Sequence, residues 1–310
     1  MSKRYKIGLA VLLAVAGIVA AGVYMHGHSV PVLRPSGSIG QKEQQLMLFA
    51  LALSLIVVIP VFILLFTFAW KYREGNKKAA YRPNFGGSRL AEIIWWAVPG
   101  ALILILSIVT WQSSHALDPY KPLASSKKPL TIQVVSLNWK WLFIYPEQHI
   151  ASVNFLQIPE QTPVTFNITS DTVMNSFWIP SLGGQIYAMP GMSTQLHLQA
   201  NGAGTYAGSS ANISGAGFSG MTFTTKSTSQ HDFDTWVQQV SHAPQKLDQS
   251  AYTALAKPSK NNAIVYYSAP ATDLYDTIVL KYMTPQTNQG SNNPAPNTQT
   301  MPAMNSMEMQ

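Results

Sequence analysis

The sequence predicts a membrane-anchored α+β protein, in which a helical hairpin in the membrane carries a β-rich domain outside it. Three features lead to this fold class: two uncharged apolar runs at residues 46–70 and 93–111, a basic loop between them, and short alternating apolar stretches from residue 130 onward. About 20 apolar residues suffice to cross the core of a bilayer as a helix. Alternation of apolar and polar residues is typical of half-buried strands.

The composition restricts the chemistry that the chain can perform. It has 310 residues, of which 47% are hydrophobic and 11% charged, and none is cysteine. Disulfides, thiolate metal sites and thiol catalysis are therefore excluded. The net charge of +7 comes from basic residues that cluster beside the apolar runs. That clustering indicates membrane topology and no nucleic-acid partner.

Residues 1–24 are predicted to be a signal peptide or an N-terminal anchor. Lys3, Arg4 and Lys6 precede an apolar run rich in alanine and glycine, which is the layout of a secretory signal. The small residues at 20–22 favour cleavage, but the run is also long enough to remain as an anchor. Both alternatives stay open from the sequence.

The two long apolar runs predict transmembrane helices over residues 46–70 and 92–111. Pro60 lies within the first and is expected to kink it, which helices in lipid tolerate better than helices in water. Tryptophans suited to the membrane–water interface lie at the ends of the second run: Trp95, Trp96 and Trp111. The alternative, two buried helices of a soluble core, is disfavoured by these lengths.

The charge of the connecting loop predicts the orientation of the hairpin. Residues 71–91 contain six lysines and arginines against the single acid Glu74. Because short basic loops stay in the cytoplasm, this loop is expected inside the cell. The segment 25–45 and everything after the second span are then periplasmic.

The periplasmic part is predicted to be a sandwich or small barrel of antiparallel strands over residues 118–227, with turns about ten residues apart. The expected strands read TIQVVSLNWKWLFIY, VNFLQIP, PVTFNITS, TQLHLQA and MTFTTK. Residues 228–285 are expected to hold two short helices, HDFDTWVQQV and QSAYTALAK, and an aromatic-rich closing segment. The tail 286–310 lacks apolar mass and is expected to be disordered.

The sequence contains no phosphate-binding glycine loop, no GxSxG elbow and no HExxH motif. Two weak metal candidates are present. His26 and His28 form a pair for which an exposed, non-binding position is favoured. The tail brings together four methionines whose thioethers suit Cu(I), although a polar tail that happens to contain methionine is the favoured interpretation. These are Met301, Met304, Met307 and Met309.

Several long motifs carry a family resemblance from about residue 37 to residue 283. They are FAWKYR, SLNWKWLFIYPEQ, SDTVMNSFWIP, GGQIYAMPGM and GSSANISGAGFSGM. With two spans, a basic inner loop and an exported β-domain, the chain resembles subunit II of the haem-copper respiratory oxidases. That resemblance implies a cupredoxin-like β-barrel for the periplasmic domain.

The motif at residues 208–221 departs from the cytochrome c oxidases of that superfamily. There the loop has the form CSExCGxxHxxM, and with an earlier histidine it holds a dinuclear copper centre. Ser210 and Ser214 stand at the two cysteine positions, Phe218 and Asn175 at the two histidine positions, Asn212 at the acidic position, and only Met221 is retained. Hydroxyls and a phenyl ring cannot replace soft thiolate and imidazole ligands. This pattern of losses resembles subunit II of the cytochrome bo-type ubiquinol oxidases.

The resemblance implies a structural subunit of a proton-pumping ubiquinol oxidase in the bacterial inner membrane. It implies no catalytic residue, metal or cofactor in this chain, with haems and copper in subunit I. The implied partners are subunit I, the other oxidase subunits, membrane lipid and the ubiquinol that the complex uses. The alternative is a membrane-tethered periplasmic cupredoxin-like assembly or binding module, which would need a preserved ligand set.

Three further residues are candidates through this resemblance. Glu92 opens the second span, where in the superfamily a glutamate of subunit II lies near the mouth of a proton channel in subunit I. The structural alternative is a carboxylate that the dipole at a helix N-terminus stabilises. Both interpretations can hold. Trp139 and Trp141 alternate with polar residues, so both rings are expected on one side of a strand. Their favoured role is packing against subunit I or the barrel core.

Overall fold

A computed structural model of the chain describes residues 30–76 and 86–283, together with residues 12, 16–17, 19–20 and 22–24. Much of the predicted signal or anchor segment therefore lies outside the described residues. So do His26 and His28, part of the basic loop, and the tail 286–310 with its four methionines.

Two long helices, α1 (Ser38–Lys71) and α2 (Arg89–Ala116), carry the apolar runs. Both are long and apolar enough to cross a membrane. Each extends beyond the predicted span on the side facing the β-domain, because α1 begins before residue 46 and α2 ends after residue 111. Ser88 caps α2 by accepting a hydrogen bond from the Ala91 N–H at 3.4 Å.

The β-domain is a sandwich of two sheets. Its strands are β1 (Leu130–Leu137), β2 (Lys140–Tyr145), β3 (Ile150–Val153), β4 (Phe155–Pro159), β5 (Val164–Ser170), β6 (Asn175–Trp178), β7 (Gln185–Ala188), β8 (Thr194–Leu198), β9 (Gly204–Ser210), β10 (Thr222–Thr228) and β11 (Val265–Ser268). One sheet has the order β11-β3-β2-β1-β5-β8 and the other β4-β10-β9-β6-β7. The predicted fold class is confirmed.

The strand pairing differs from the expected antiparallel pattern. β1 runs parallel to β5, and β10 runs parallel to β4. The stretch SLNWKWLFIY, expected as one strand, is a hairpin of β1 and β2 that turns at Asn138 and Trp139. Trp139 has φ +62°, a left-handed conformation that ends a strand and that a bulky residue rarely adopts.

An aromatic cluster fills the space between the two sheets. Phe177 stacks on Phe223 with centroids 5.3 Å apart, and Trp141 meets both rings edge-on at 5.5 and 5.8 Å. Phe143 and Phe166 complete the cluster. Such pairs contribute roughly 0.5–1.5 kcal/mol each beyond the area they bury. The cluster holds the sheets together directly beside β9 and β10.

Both expected short helices are present after the sandwich, as α3 (Gln230–Ser241) and α4 (Gln249–Ala256), and α5 (Leu274–Leu280) follows β11. Ser229 and Asp248 cap the first two helices. Together α4 and α5 cover the outer face of the six-stranded sheet through a second apolar cluster that includes Tyr252 and Ile278.

A buried carboxylate, Asp171, holds this C-terminal part on the sandwich. Its Oδ2 accepts the Tyr252 hydroxyl at 2.6 Å. Its Oδ1 accepts the Lys281 ammonium at 2.6 Å and the Tyr282 hydroxyl at 2.9 Å. Buried carboxylates persist when their oxygens are fully hydrogen-bonded, as these are. We call these four residues the Asp171 clamp.

The start of α1 is joined to the sandwich by backbone contacts. Gly37 pairs with Ala200, and the Gly40 N–H donates to the Leu182 carbonyl at 2.9 Å. A Cβ on Gly37 would lie 2.4 Å from the Leu182 oxygen, so glycine is required for this approach. These contacts attach the first turn of α1 to the sandwich.

Candidate functional site at the 208–221 loop

The loop at residues 208–221 connects two antiparallel strands of the five-stranded sheet. β9 ends at Ser210, a short 3-10 helix spans Phe218–Gly220, and β10 begins at Thr222. On its other side β9 pairs with β6, where Ser210 lies opposite Phe177. This register brings the start of β6, and with it Asn175, beside the end of β9.

Asn175 and Ser210 are in direct contact. The Ser210 Oγ lies 3.1 Å from the Asn175 Oδ1 and 3.1 Å from the Asn212 carbonyl, either of which can accept its proton. The Ser176 N–H donates to the same Oγ at 3.4 Å, and the Asn175 Nδ2 donates to the Val173 carbonyl at 3.1 Å. Both side chains are buried. One hydrogen bond joins the two side chains and satisfies them in the interior. Both present neutral, hard oxygen atoms, which soft metal ions do not prefer as ligands.

Three further positions of the motif, Ser214, Phe218 and Met221, direct their side chains elsewhere. Met221 is buried in the apolar core between the sheets. Phe218 is partly buried at the start of the 3-10 helix. Ser214 presents its carbonyl to the Trp139 Nε1 at 3.1 Å, while its hydroxyl is buried without a hydrogen bond. Among the described contacts, no side-chain hydrogen bond joins these three to Asn175 or Ser210.

Trp139 covers the loop at Gly217. A Cβ on Gly217 would lie 2.4 Å from the indole ring, so the ring can rest on this segment only where residue 217 is glycine. The Lys260 ammonium lies 5.6 Å from the centre of the same ring, within range of a cation–π interaction. Trp139 therefore closes the loop against the body of the domain.

The expectation that Trp139 and Trp141 face one side of a single strand is wrong. Only Trp141 lies in a strand, where it is fully buried in the aromatic cluster. Trp139 lies in the hairpin turn and packs on the loop. The left-handed turn rotates the two rings into different environments. No aromatic patch shared by the two rings exists in this domain.

Sequence reasoning missed Lys140, which is only 2% exposed although it is charged. Its ammonium donates to the Lys257 carbonyl at 2.9 Å and contacts the Ser259 hydroxyl. Burial lowers the pKa of Lys140, since the charged form loses water. Its place inside the apolar stretch WKWLFIY was the available signal. Lys140 ties the segment 257–262 over the turn that carries Trp139.

Three sequence families match consecutive parts of the chain. The transmembrane domain of cytochrome c oxidase subunit II matches residues 32–112, its periplasmic domain residues 147–228, and the COX aromatic rich motif residues 242–286. Cytochrome bo(3) ubiquinol oxidase subunit 2 of Pseudomonas putida is 51% identical over 83% of this chain and 82% of its own length. Ubiquinol oxidase subunit 2 of Acetobacter aceti is 45% identical over 86% and 87%. The chain belongs to the ubiquinol oxidase subunit 2 family.

A solved structure, the periplasmic domain of subunit II of cytochrome oxidase (CoxB) from Bradyrhizobium japonicum, is a distant neighbour. It is 22% identical with a TM-score of 0.35, and the match covers 37% of this chain and 96% of that domain. In this member of the ubiquinol oxidase subunit 2 family, Ser210 at the end of β9 and Asn175 at the start of β6 are joined by a hydrogen bond.

Glu92 lies where the sequence predicted it, in the first turn of α2. Its N–H donates to the Ser88 carbonyl at 3.0 Å, and its side chain is exposed in the isolated chain. The helix N-terminus favours a negative charge there. The geometry is compatible with both explanations given above for this residue.

Proposed function

We propose that the chain is subunit II of a proton-pumping ubiquinol oxidase, which oxidises ubiquinol and reduces O₂ to water. The contact between Ser210 and Asn175 carries this proposal. Where a cytochrome c oxidase would hold its copper relay, this domain has two neutral side chains that bind one another. An enzyme with such a subunit needs a reductant that reaches subunit I without a relay, and a quinol dissolved in the membrane meets that need.

The role that we propose for this subunit is structural, with the haems, the copper and the quinol pocket in subunit I. The apolar sides of α1 and α2 are exposed along their length in the isolated chain, so they are available to pack against lipid and subunit I. The basic loop 71–91 would face the cytoplasm of the bacterium, and the sandwich would cover the periplasmic face of the complex in the inner membrane.

We assign Glu92 a part in proton uptake at the cytoplasmic surface, next to subunit I. An exposed carboxylate at the predicted cytoplasmic end of a span is placed to collect protons.

The alternative of a periplasmic metal-binding or assembly module has less support. Within residues 30–76 and 86–283, no three His, Asp or Glu side chains lie close enough together to hold a metal.

Purification of the tagged full-length chain in mild detergent tests the proposal. We expect a polytopic haem-containing subunit to accompany it, and oxygen uptake with a short-chain ubiquinol but not with reduced cytochrome c. Copper is expected only in the amount that the haem-containing subunit accounts for. Isolation of the chain without any haem protein, or rapid oxygen uptake with reduced cytochrome c, would contradict the proposal.

A further inference from the structure

A cavity of about 320 Å³ lies where the two long helices meet the sandwich. The first turns of α1 form one side, the chain after α2 another, and the ends of β7 and β8 the floor. Its volume is at the lower end of the range for small-molecule sites, about 300–1,000 Å³. The cavity thus joins the part of the chain that we place in the membrane to the part that we place outside.

The level of this cavity is that of lipid headgroups. Lys42 and Glu43 line it, and the long apolar run of α1 starts at about residue 46, roughly 5 Å further along the helix at 1.5 Å per residue. Ala116, the last residue of α2, lines the opposite side. Both spans therefore leave the apolar layer at the height of the cavity.

The rim of the cavity carries charges of both signs. Lys42 and Lys121 supply two ammonium groups, and Glu43 and Asp118 supply two carboxylates. The ion pairs of the described residues join other side chains, so none of these four charges is neutralised by a protein partner. One Glu43 oxygen accepts the Gly184 N–H at 3.0 Å, and one Asp118 oxygen accepts the Tyr120 N–H at 2.9 Å. Each carboxylate keeps acceptor capacity for a ligand.

The floor contains one buried polar side chain, His197. His197 is 7% exposed, and its Nδ1 lies 3.1 Å from the Thr165 hydroxyl. Its Nε2 is buried and has no hydrogen bond of good geometry. Burial lowers the pKa of His197, and the nearby Tyr120 carbonyl opposes this shift in part. His197 is therefore a polar side chain enclosed beneath the cavity, held between Thr165 and Tyr120, and it offers no exposed donor to a ligand.

We propose that this cavity binds the headgroup of an aminophospholipid, with its phosphate at Lys42 and Lys121 and its primary ammonium at Glu43 and Asp118. A zwitterion matches a rim with separate positive and negative charges better than an anion does, because both signs are compensated at once. The apolar side chains of Ile39 and Leu196 lie beneath it. The proposal depends on the membrane placement above and not on the oxidase activity.

Lipid binding to the delipidated full-length chain, purified in detergent with its accompanying subunits, tests this site. Short-chain phosphatidylethanolamine, phosphatidylcholine of equal chain length and inorganic phosphate are the probes, and native mass spectrometry is the readout. We expect phosphatidylethanolamine to bind at least about fivefold more tightly, because a trimethylated ammonium cannot donate hydrogen bonds to the carboxylates. Inorganic phosphate at the same concentration is expected not to displace it.

Two variants test the phosphate-binding part and the ammonium-binding part of the site separately. Lys121→Ala is expected to weaken both lipids about tenfold, since it removes a phosphate contact. Glu43→Gln keeps a carbonyl for the Gly184 N–H but loses the charge, so it should reduce the preference for phosphatidylethanolamine toward unity. Lys127→Ala, an exposed lysine outside the cavity, is the matched control and should change neither. Equal binding of the two lipids to the unmodified chain, displacement by phosphate, or equal effects of Lys121→Ala and Lys127→Ala would overturn the proposal.

Discussion

Replacement of Asp171 by asparagine should loosen the C-terminal part of the protein. The carboxylate is 2% exposed and accepts three hydrogen bonds, one of them from Lys281, whose side chain is 56% exposed. A hydrogen bond to a charged group contributes about 1 kcal/mol more than a neutral one, so three bonds amount to roughly 3 kcal/mol. Asparagine carries no charge, so the variant avoids the free-energy cost of burying the Asp171 carboxylate, and this offsets part of the loss. We expect a net loss of about 2 kcal/mol.

The assay combines thermal unfolding with amide hydrogen exchange of the full-length chain in detergent. A loss of about 2 kcal/mol corresponds to a fall in Tm of roughly 4–8 °C for a domain of this size. Exchange should accelerate first in residues 242–283, because the clamp fastens α4 and α5 to the sheet. The matched control is Lys128→Met, which removes an exposed ion pair with Glu147 and should cost less than about 1 kcal/mol.

The clamp also predicts a response to alkali. Burial raises the pKa of Tyr252, and the hydrogen bond to Asp171 raises the pKa of Lys281. Groups whose folded pKa is raised contribute stability below their unfolded pKa and lose it as pH increases. The clamp should therefore weaken above about pH 10. If Asp171→Asn left both Tm and the exchange of residues 242–283 unchanged, the clamp would have no energetic role.

Three other changes test the loop and the membrane end of the chain. Gly217→Val places a side chain against Trp139 and should cost about 1–3 kcal/mol in thermal unfolding, whereas Ala216→Val at an exposed position should cost little; equal effects would refute the close contact. Met221→Ala should cost about 2–5 kcal/mol as a core cavity without changing the copper content of the purified complex, and a lowered copper content would show that Met221 binds metal. Glu92→Gln should slow proton uptake during turnover while quinol binding is retained, which stopped-flow pH measurements can follow; unchanged turnover and pumping would refute the assigned role.

Much of the fold was accessible from local sequence signals. Apolar length identified α1 and α2, and amphipathic patterns identified α3 and α4. β9 was not predicted, because its sequence GTYAGSS has few apolar residues. It forms a strand through its pairing with β6 and β10. Edge and polar strands of this kind are specified by their neighbours more than by their own residues.

The candidate site was likewise predictable from the sequence only in part. The replacement of the expected copper ligands is a prediction that the sequence alone supplies, because it depends only on which residue types stand at which positions. The pairing of Ser210 with Asn175 was not predictable, since the two are 35 residues apart and meet through the register of β6 and β9. The position of Trp139 likewise depends on a left-handed turn that no periodicity in WKWLFIY reveals.

The sequence alone determined which parts of this chain suit lipid and which suit water, and that the chain has no thiolate metal site. Those properties follow from the length of apolar runs, the placement of charge and the absence of thiols. Each of these can be read from the order of residues without knowing which residues meet in the fold. Only the tertiary structure decided that β1 lies parallel to β5, that Asp171 fastens the C-terminal helices, and that a charged cavity opens at the base of α1. These features arise from contacts between residues distant in sequence, where packing and hydrogen-bond geometry select among many compatible patterns.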